Sequence, residues 1–167
     1  MDETIAGQRH GLLFALVTIP AMMMFAMRSW RTGLVSMIPN AQPLLALLGY
    51  MGWFWETTDT DTLAVLMVAI SIGVDDTIHF LMRLRFEAGK TEDISTMVRQ
   101  TFHYSGRAIV ITSFILVVGF APFALSDYFS VRIFGTLLPA CLVVALIADL
   151  FLLPALIQLG WIKMRAK

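Results

Sequence analysis

Five long apolar stretches run through the sequence, and they restrict the possible fold more than any other feature. They cover residues 11–27, 34–55, 62–82, 108–125 and 131–159. A helix that crosses a bilayer needs about 20 mostly apolar residues, so each stretch is long enough or nearly so. The composition agrees: 58% of the residues are hydrophobic and 14% are charged, against about 45–50% and about 25% in soluble domains. We therefore predict an all-α fold, with residues 1–167 forming a single polytopic bundle of about five transmembrane helices.

A sixth helix is predicted between the third and fourth stretches, at residues 91–104 (TEDISTMVRQTFHY). Thr91 can cap its N-terminus, and Glu92 and Asp93 favour its first turn. One side of this segment carries residues that recur at helical spacing, namely Ile94, Met97, Val98, Thr101 and Phe102. The helix is amphipathic, and we expect it to lie along the membrane surface.

The basic residues fall mainly on one side of the predicted bundle. If the loop at residues 28–33 is cytoplasmic, ten of the twelve Lys and Arg residues lie on that side, and Arg9 and Arg132 lie outside. The ten are Arg28, Arg31, Arg83, Arg85, Lys90, Arg99, Arg107, Lys163, Arg165 and Lys167. Positive charge concentrates on the cytoplasmic side of membrane proteins. We therefore predict an integral membrane protein with its N-terminus outside and its C-terminus in the cytoplasm.

Several classes of partner and cofactor are not indicated by the sequence. The formal net charge is zero, so the basic footprint of a nucleic-acid-binding protein is missing. The single cysteine, Cys141, has no internal partner for a disulfide and is expected to pack in its apolar stretch. The eleven methionines fit adaptable apolar packing rather than a metal site. We expect no metal, no cofactor and no catalytic residue.

Two adjacent carboxylates, Asp75 and Asp76, interrupt the third apolar stretch in SIGVDDTIHF (residues 71–80). They precede Arg83, which marks the end of the stretch, and so lie roughly 10–12 Å inside it at about 1.5 Å per residue. Ionisable side chains at that depth generally face a bundle interior and mark a functional site, with a purely structural contact between helices as the alternative. Adjacent carboxylates repel each other when both are ionised, so one is expected to hold a proton near neutral pH. Such a group can serve in a proton relay.

Four further polar residues are candidates for the same relay. Thr112 and Ser113 lie about 8–9 Å inside the fourth span, close to the level of the acids. Asp149 is a third intramembrane acid, some 18 Å from the inner interface and so near the midplane. His79 follows Asp75 by one helical turn and shares its face, where a hydrogen-bonded packing role is the alternative. No span carries a lysine or arginine in its interior that could neutralise the acids. The acids are therefore expected to be protonated, hydrated or paired with a further helix.

Four segments of the chain resemble the resistance-nodulation-division (RND) transporter superfamily, in the branch that includes MMPL proteins and the sterol-sensing domain. RSWRTGLVSMIPNAQPLLALLGYMGW (28–53) resembles the second and third helices of an RND repeat, and SIGVDDTIHFLMRLRFE (71–87) resembles the fourth. TSFILVVGFAPFALSDY (112–128) and ADLFLLPALI (148–157) are similar to the fifth and sixth. The resemblance extends from about residue 8 to residue 159.

The resemblance implies a function as well as a fold. Members of this branch use the proton-motive force to move lipids or other hydrophobic molecules across the bacterial cytoplasmic (inner) membrane. Acids of the fourth helix serve proton coupling in many of them, which corresponds to Asp75 and Asp76, with Thr112 or Ser113 as hydrogen-bonding neighbours. Asp149 corresponds to an acid in the last helix. Protons and membrane lipids are the implied partners.

The same resemblance also suggests that another part of the transporter is needed. Full members have two six-helix repeats, each with a large extracytoplasmic domain after its first helix. This sequence starts where the second helix of a repeat would, so we expect the C-terminal five helices of a longer transporter or a split subunit. A missing N-terminal half, a partner subunit or a second copy of the chain would complete it.

Two other functions remain open on the sequence. A sterol-sensing-type module that binds lipid or regulates without transport shares this helical core and needs no proton cycle. An intramembrane aspartyl protease would use Asp149 with Asp75 or Asp76 around one water. Proteases of that type resemble a GxGD pattern, and GVDD (residues 73–76) does not match it.

Overall fold

The computed structural model describes residues 2–54 and 60–162, and over these residues all regular secondary structure is helical. Eight α-helices follow in chain order: α1 (Asp2–Met27), α2 (Trp30–Val35), α3 (Met37–Phe54), α4 (Thr60–Ala88), α5 (Ile94–Thr101), α6 (Arg107–Phe120), α7 (Phe129–Ile147) and α8 (Leu153–Gln158). A π turn (Phe102–Gly106) joins α5 to α6, a 3₁₀ turn (Ala121–Leu125) follows α6, and a second π turn (Ala148–Leu152) joins α7 to α8. The predicted all-α class is confirmed.

Three helical segments of the described chain are long and apolar enough to cross a membrane: Asp61–Ala88, Ile94–Leu125 and Phe129–Gln158. The first predicted span corresponds to α1, in which the described side chains include the apolar segment Val17–Met27. The second predicted span is divided between α2 and α3. The break falls at Ser36, whose buried hydroxyl donates a 2.8 Å hydrogen bond to the Gly33 carbonyl at the end of α2.

The N-terminus of the predicted surface helix lies two residues later than expected, and its cap is a different residue. Asp93, not Thr91, is the N-cap of α5. Its carboxylate accepts hydrogen bonds from the Thr96 backbone N–H at 2.9 Å and from the Ser95 hydroxyl at 2.8 Å. Hydrogen bonding from the Thr96 side chain, then from the Ser95 hydroxyl and the Thr96 backbone N–H, lowers the pKa of Asp93 to about 2. Thr91 instead accepts a hydrogen bond from the Asp93 backbone N–H.

The amphipathic helix predicted at residues 91–104 is present as α5 and the π turn that follows it, and its position along the membrane surface remains a prediction. The π turn Phe102–Gly106 keeps the backbone helical between α5 and α6, so Ile94–Leu125 forms one continuous helix. The expected amphipathic side is present, because Met97, Val98 and Thr101 are buried and Met97 and Val98 belong to the same apolar cluster as residues of α4. The polar residues of α5 lie on the same continuous helix as the apolar residues of α6. The change in polarity therefore does not end the helix.

Helix α4 is central to the bundle and packs against α7, α3 and α1. Its basic end is fixed by polar contacts. Arg85 donates a 3.1 Å hydrogen bond to the Ala26 carbonyl of α1. Glu87 is buried and forms ion pairs with Arg83 at 2.5 Å and Lys90 at 3.3 Å. Both ion pairs lie within α4 and the turn that follows it, so the Arg85 bond is the one of these contacts that joins this end of α4 to α1.

The buried apolar residues form two clusters, separated along α4 by buried polar groups. The cluster at the basic end includes Met23, Met27, Phe80, Leu81, Leu84, Met97, Leu153 and Ile157. The cluster toward the opposite end includes Leu47, Val65, Leu66, Ile70, Val74, Ile133, Leu138 and Leu142. Between them lie Asn40 on α3, Thr77 on α4 and Asp149 in the second π turn, which we call the polar layer. All three side chains are buried.

Small residues let the backbones approach closely at two points. Gly135 of α7 lies against the 3₁₀ turn, where an added Cβ would overlap backbone atoms of Phe123 and Ala124. Gly33 of α2 lies against α1, where a Cβ would be 2.7 Å from the Met24 Cα and 2.8 Å from the Met24 backbone nitrogen. Close contact of this kind drives helix association in lipid, where apolar burial against water contributes little. Gly119 of α6, by contrast, has open space beside it.

We predict that Gly135→Ala destabilises the bundle and that Gly119→Ala does not. The first substitution forces α7 away from the 3₁₀ turn, and overpacking of this kind costs about 1–3 kcal/mol or more. The measurement is thermal unfolding of both purified variants in the same detergent. Equal melting temperatures for the two alanine variants would contradict the packing described here.

Candidate proton-relay site

A groove of about 700 Å³ opens between α4 and α6. Its polar lining includes Asp75, Asp76 and His79 from α4 and Thr112 from α6, and apolar side chains such as Ile109 line the rest. The groove is open to the outside of the bundle, because α6 packs mainly against α7 and most of its remaining surface is uncovered. The apolar window of Ile94–Leu125 is 11% buried, against 50% for the windows of the other two long helices.

Asp75 and His79 lie on the open side of this groove. Their side chains are 71% and 72% exposed, and the Asp75 Oδ1 lies 3.7 Å from the His79 Nε2. The two residues are one helical turn apart, which brings their side chains together on one helix face. The carboxylate and the imidazole therefore face each other at the edge of the groove.

Asp76 lies between the groove and the bundle interior. Its side chain is half-buried, and the buried Ser113 hydroxyl of α6 lies beside its carboxylate. Thr112 differs from its neighbour, because it is exposed and its hydroxyl is bonded to the Ala108 and Ile109 carbonyls of its own helix. Of the two predicted hydroxyl partners, the structure therefore brings Ser113 to Asp76, while Thr112 lines the groove.

Asp149 is the deepest of the three acids, with a relative exposure of 2%. The Thr77 hydroxyl lies 2.8 Å from its Oδ1 and 3.1 Å from the Asn40 Oδ1. The Asn40 side-chain nitrogen in turn donates to the Ser36 carbonyl at 3.1 Å. The polar layer thus links α3, α4 and the α7–α8 segment through one hydroxyl group.

The second π turn carries Asp149 within a long apolar helix. A π turn adds one residue to a helical turn, and such turns are frequent at functional sites. Within Ala148–Leu152 it places Asp149 in contact with Thr77 while Phe151 is exposed. Asp149 and Asp76 are close enough for their charges to interact. The ionisable groups therefore extend stepwise from the open groove, through Asp76, to the polar layer.

Asn40 and Thr77 are site residues that the sequence analysis did not identify. Both are polar residues within predicted spans, in PNAQP (residues 39–43) and directly after the acid pair. The sequence analysis ranked by depth only the acids and the hydroxyl residues of the fourth span. A ranking of all polar residues in the spans would have included Asn40 and Thr77. Which of them meets Asp149 depends on helix packing that periodicity does not give. Among the described residues, no group of three His, Cys, Asp or Glu side chains is placed to hold a metal ion.

A comparison with known families identifies the family of the chain. The profile of the MMPL family matches residues 3–163, nearly the whole sequence. The chain belongs to the MMPL family. No curated protein and no solved structure gives a significant match. Together with the three long apolar helices, family membership establishes an integral membrane protein of the RND/MMPL transporter type.

We predict that cysteines in the groove of this MMPL protein react with small thiol reagents and that a cysteine in the core does not. In a Cys141→Ala background, Ser71→Cys and His79→Cys report on exposed groove positions, and Val65→Cys is the buried control on the same helix. Because thiol reactivity requires access and ionisation, the groove cysteines should react at least about tenfold faster. The measurement is the labelling rate with a methanethiosulfonate reagent. Equal rates at all three positions would contradict an open groove.

Proposed function

We propose that this chain is part of a proton-motive-force-driven exporter of lipids or other hydrophobic molecules. The observation that supports it most is the buried Asp149, hydrogen-bonded to Thr77 and connected through Asp76 to an open groove. An ionisable group inside a membrane bundle is a costly arrangement that is kept for proton or ion pathways. Membership of a transporter family supports the same proposal.

The proposed relay starts at the groove and ends in the polar layer. Asp75 and His79 collect a proton at the groove, Asp76 transfers it inward with Ser113 as its hydrogen-bonding neighbour, and Asp149 holds it between the helices. Protonation neutralises a buried charge, and this changes which helix arrangement is favoured. Alternation between the two arrangements then moves the hydrophobic cargo.

The proposal includes further helices that cover the groove. Asp75 is 71% exposed on the side of α4 that lies beside α6, and the apolar window of the helix containing α6 is 11% buried. A carboxylate facing lipid at that depth would be strongly unfavourable. We propose that the other half of a longer transporter, a partner subunit or a second copy of this chain packs there, in a bacterial inner membrane with the basic ends of the helices in the cytoplasm.

The geometry favours a relay over peptide hydrolysis. An aspartyl protease holds two acids around one water. Here Asp149 is bonded to Thr77 in the interior, while Asp75 contacts His79 in the groove. The acids therefore have different neighbours and different access, which suits stepwise transfer of one proton.

We predict that two variants abolish proton-dependent export. One is the double substitution Asp75→Asn with Asp76→Asn, and the other is Asp149→Asn. In both, an amide replaces a carboxyl group and cannot take up and release a proton. The measurement is cargo efflux driven by an imposed pH gradient in proteoliposomes that contain the intact transporter. Asp127→Asn, in the exposed turn between α6 and α7, is the matched control and should retain full activity.

Two outcomes would overturn the proposal. Unchanged gradient-driven export in the Asp75, Asp76 and Asp149 variants would remove the relay from the mechanism. Lipid binding that is independent of pH and of all three acids, without any export, would instead identify a sterol-sensing-type module.

A further inference from the structure

We propose that Thr77 and Asn40 form a proton-dependent latch, in which the hydrogen bond between them is made when Asp149 is protonated and is broken when Asp149 is ionised. The latch rests on the proposed relay function and assigns two positioning residues to it. It also identifies which helix responds to the proton, namely α3.

The Thr77 hydroxyl carries a single hydrogen atom. This group can donate one hydrogen bond and accept others. It lies within hydrogen-bonding distance of two oxygen atoms, the Asp149 Oδ1 at 2.8 Å and the Asn40 Oδ1 at 3.1 Å. A hydrogen atom shared between both oxygens would form two bent, weaker hydrogen bonds. Both contacts are strong only when one of them receives a hydrogen atom from the other side.

Asn40 does not supply that hydrogen. Its side-chain nitrogen donates to the Ser36 carbonyl at 3.1 Å, which directs its oxygen toward Thr77. Reversing the amide would place its oxygen against the Ser36 carbonyl oxygen, two acceptors in contact. Asp149 is therefore the group that completes the network, because a protonated carboxyl group carries a hydrogen atom that it can donate.

The protonation state of Asp149 then determines the direction of both hydrogen bonds. When protonated, Asp149 donates to the Thr77 oxygen, and Thr77 donates to the Asn40 oxygen. When the proton leaves toward Asp76 and the groove, the Thr77 hydroxyl rotates and donates to the Asp149 carboxylate. The Asn40 oxygen then has no donor in the interior, because Asn40 is only 5% exposed to solvent. An unpaired buried acceptor is unfavourable, so α3 is released from Thr77.

The surroundings of the polar layer make this response a movement of helices. Apolar clusters lie on both sides of it along α4, and Thr77 is the side chain that donates to the Asn40 oxygen. The Asn40 side-chain oxygen also lies close to Gly73 of α4. A Cβ added at Gly73 would be 3.4 Å from that oxygen. A shift of α3 relative to α4 is the way in which Asn40 can reach a new partner.

Asp149 responds mainly to one other charged group. Asp76 of α4 is the acid whose charge acts on it, and Asp75 and His79 lie farther out in the groove. Among the elements that pack against the second π turn, α8 has no titratable residue, α3 has Tyr50 ten positions from Asn40, and α7 has Cys141 and Arg132. Arg132 lies 17 residues before Asp149 along the same continuous helix, roughly 25 Å away.

The first test uses infrared difference spectroscopy of the intact transporter in nanodiscs, with pH as the variable. The carbonyl band of a protonated carboxyl group should disappear in Asp149→Asn. In Thr77→Val the same band should shift to higher frequency, because the carboxyl hydrogen has lost its acceptor. Thr77→Ser restores the hydroxyl and should restore the wild-type position. A band that is identical in wild type and Thr77→Val would overturn the proposal.

The second test follows α3 directly. Spin labels at Leu45 of α3 and Met82 of α4, both exposed, are introduced in a Cys141→Ala background. The distance between the labels should change with pH in wild type. In Asp149→Asn the label distance should stay at its low-pH value, because the amide donates to Thr77 at every pH. In Thr77→Val the label distance should stay at its high-pH value. A distance independent of pH in wild type would overturn the latch.

These readouts separate the latch from the proposed function. Neither needs transport, so a pH-dependent band and distance together with export that is insensitive to Asp149 would leave the latch in place and reject the exporter mechanism. Export that requires Asp149, with no change in the α3–α4 distance, would leave the exporter in place and reject the latch.

Discussion

One hydroxyl hydrogen, shared between two buried oxygen atoms, is the constraint on which this account depends. Thr77 faces both Asp149 and Asn40, and apolar clusters lie on either side of this layer along α4. Removing polar groups from water is tolerated when every one of them is paired. The polar layer meets that condition in one protonation state, which couples a chemical event to the packing of three helices.

The rest of the bundle supports this layer. Glu87 with its two cations and the Arg85 contact to α1 fix the basic end of α4. The second π turn carries Asp149, and the open groove brings Asp75, Asp76 and His79 to the edge of the bundle. Because α6 packs on one side only, the groove is also the surface where additional helices would be placed. Proton access and assembly would therefore involve the same face.

Much of this architecture follows from sequence, and the parts that do not have identifiable causes. Long apolar stretches predict the helical class because lipid permits few other spanning structures, and the acid pair stands out because charge is rare in such stretches. The amphipathic helix at residues 91–104 follows from its residue spacing, but its continuity with α6 does not, since a π turn continues the backbone where the polarity changes. Asn40 and Thr77 were missed because helical periodicity assigns faces but does not determine which helices meet. The relay role of Asp75, Asp76, Ser113, Thr112, His79 and Asp149 remains a prediction.

The most direct measurement of the central claim is the number of protons released by the purified transporter in a weakly buffered medium. The pH is raised from about 5.5 to about 8.5, above the range of about 3.9–4.3 in which exposed carboxyl groups titrate. If Asp149 holds an exchangeable proton inside the bundle, Asp149→Asn releases about one proton fewer per chain than wild type. Equal release by the two proteins would contradict the account.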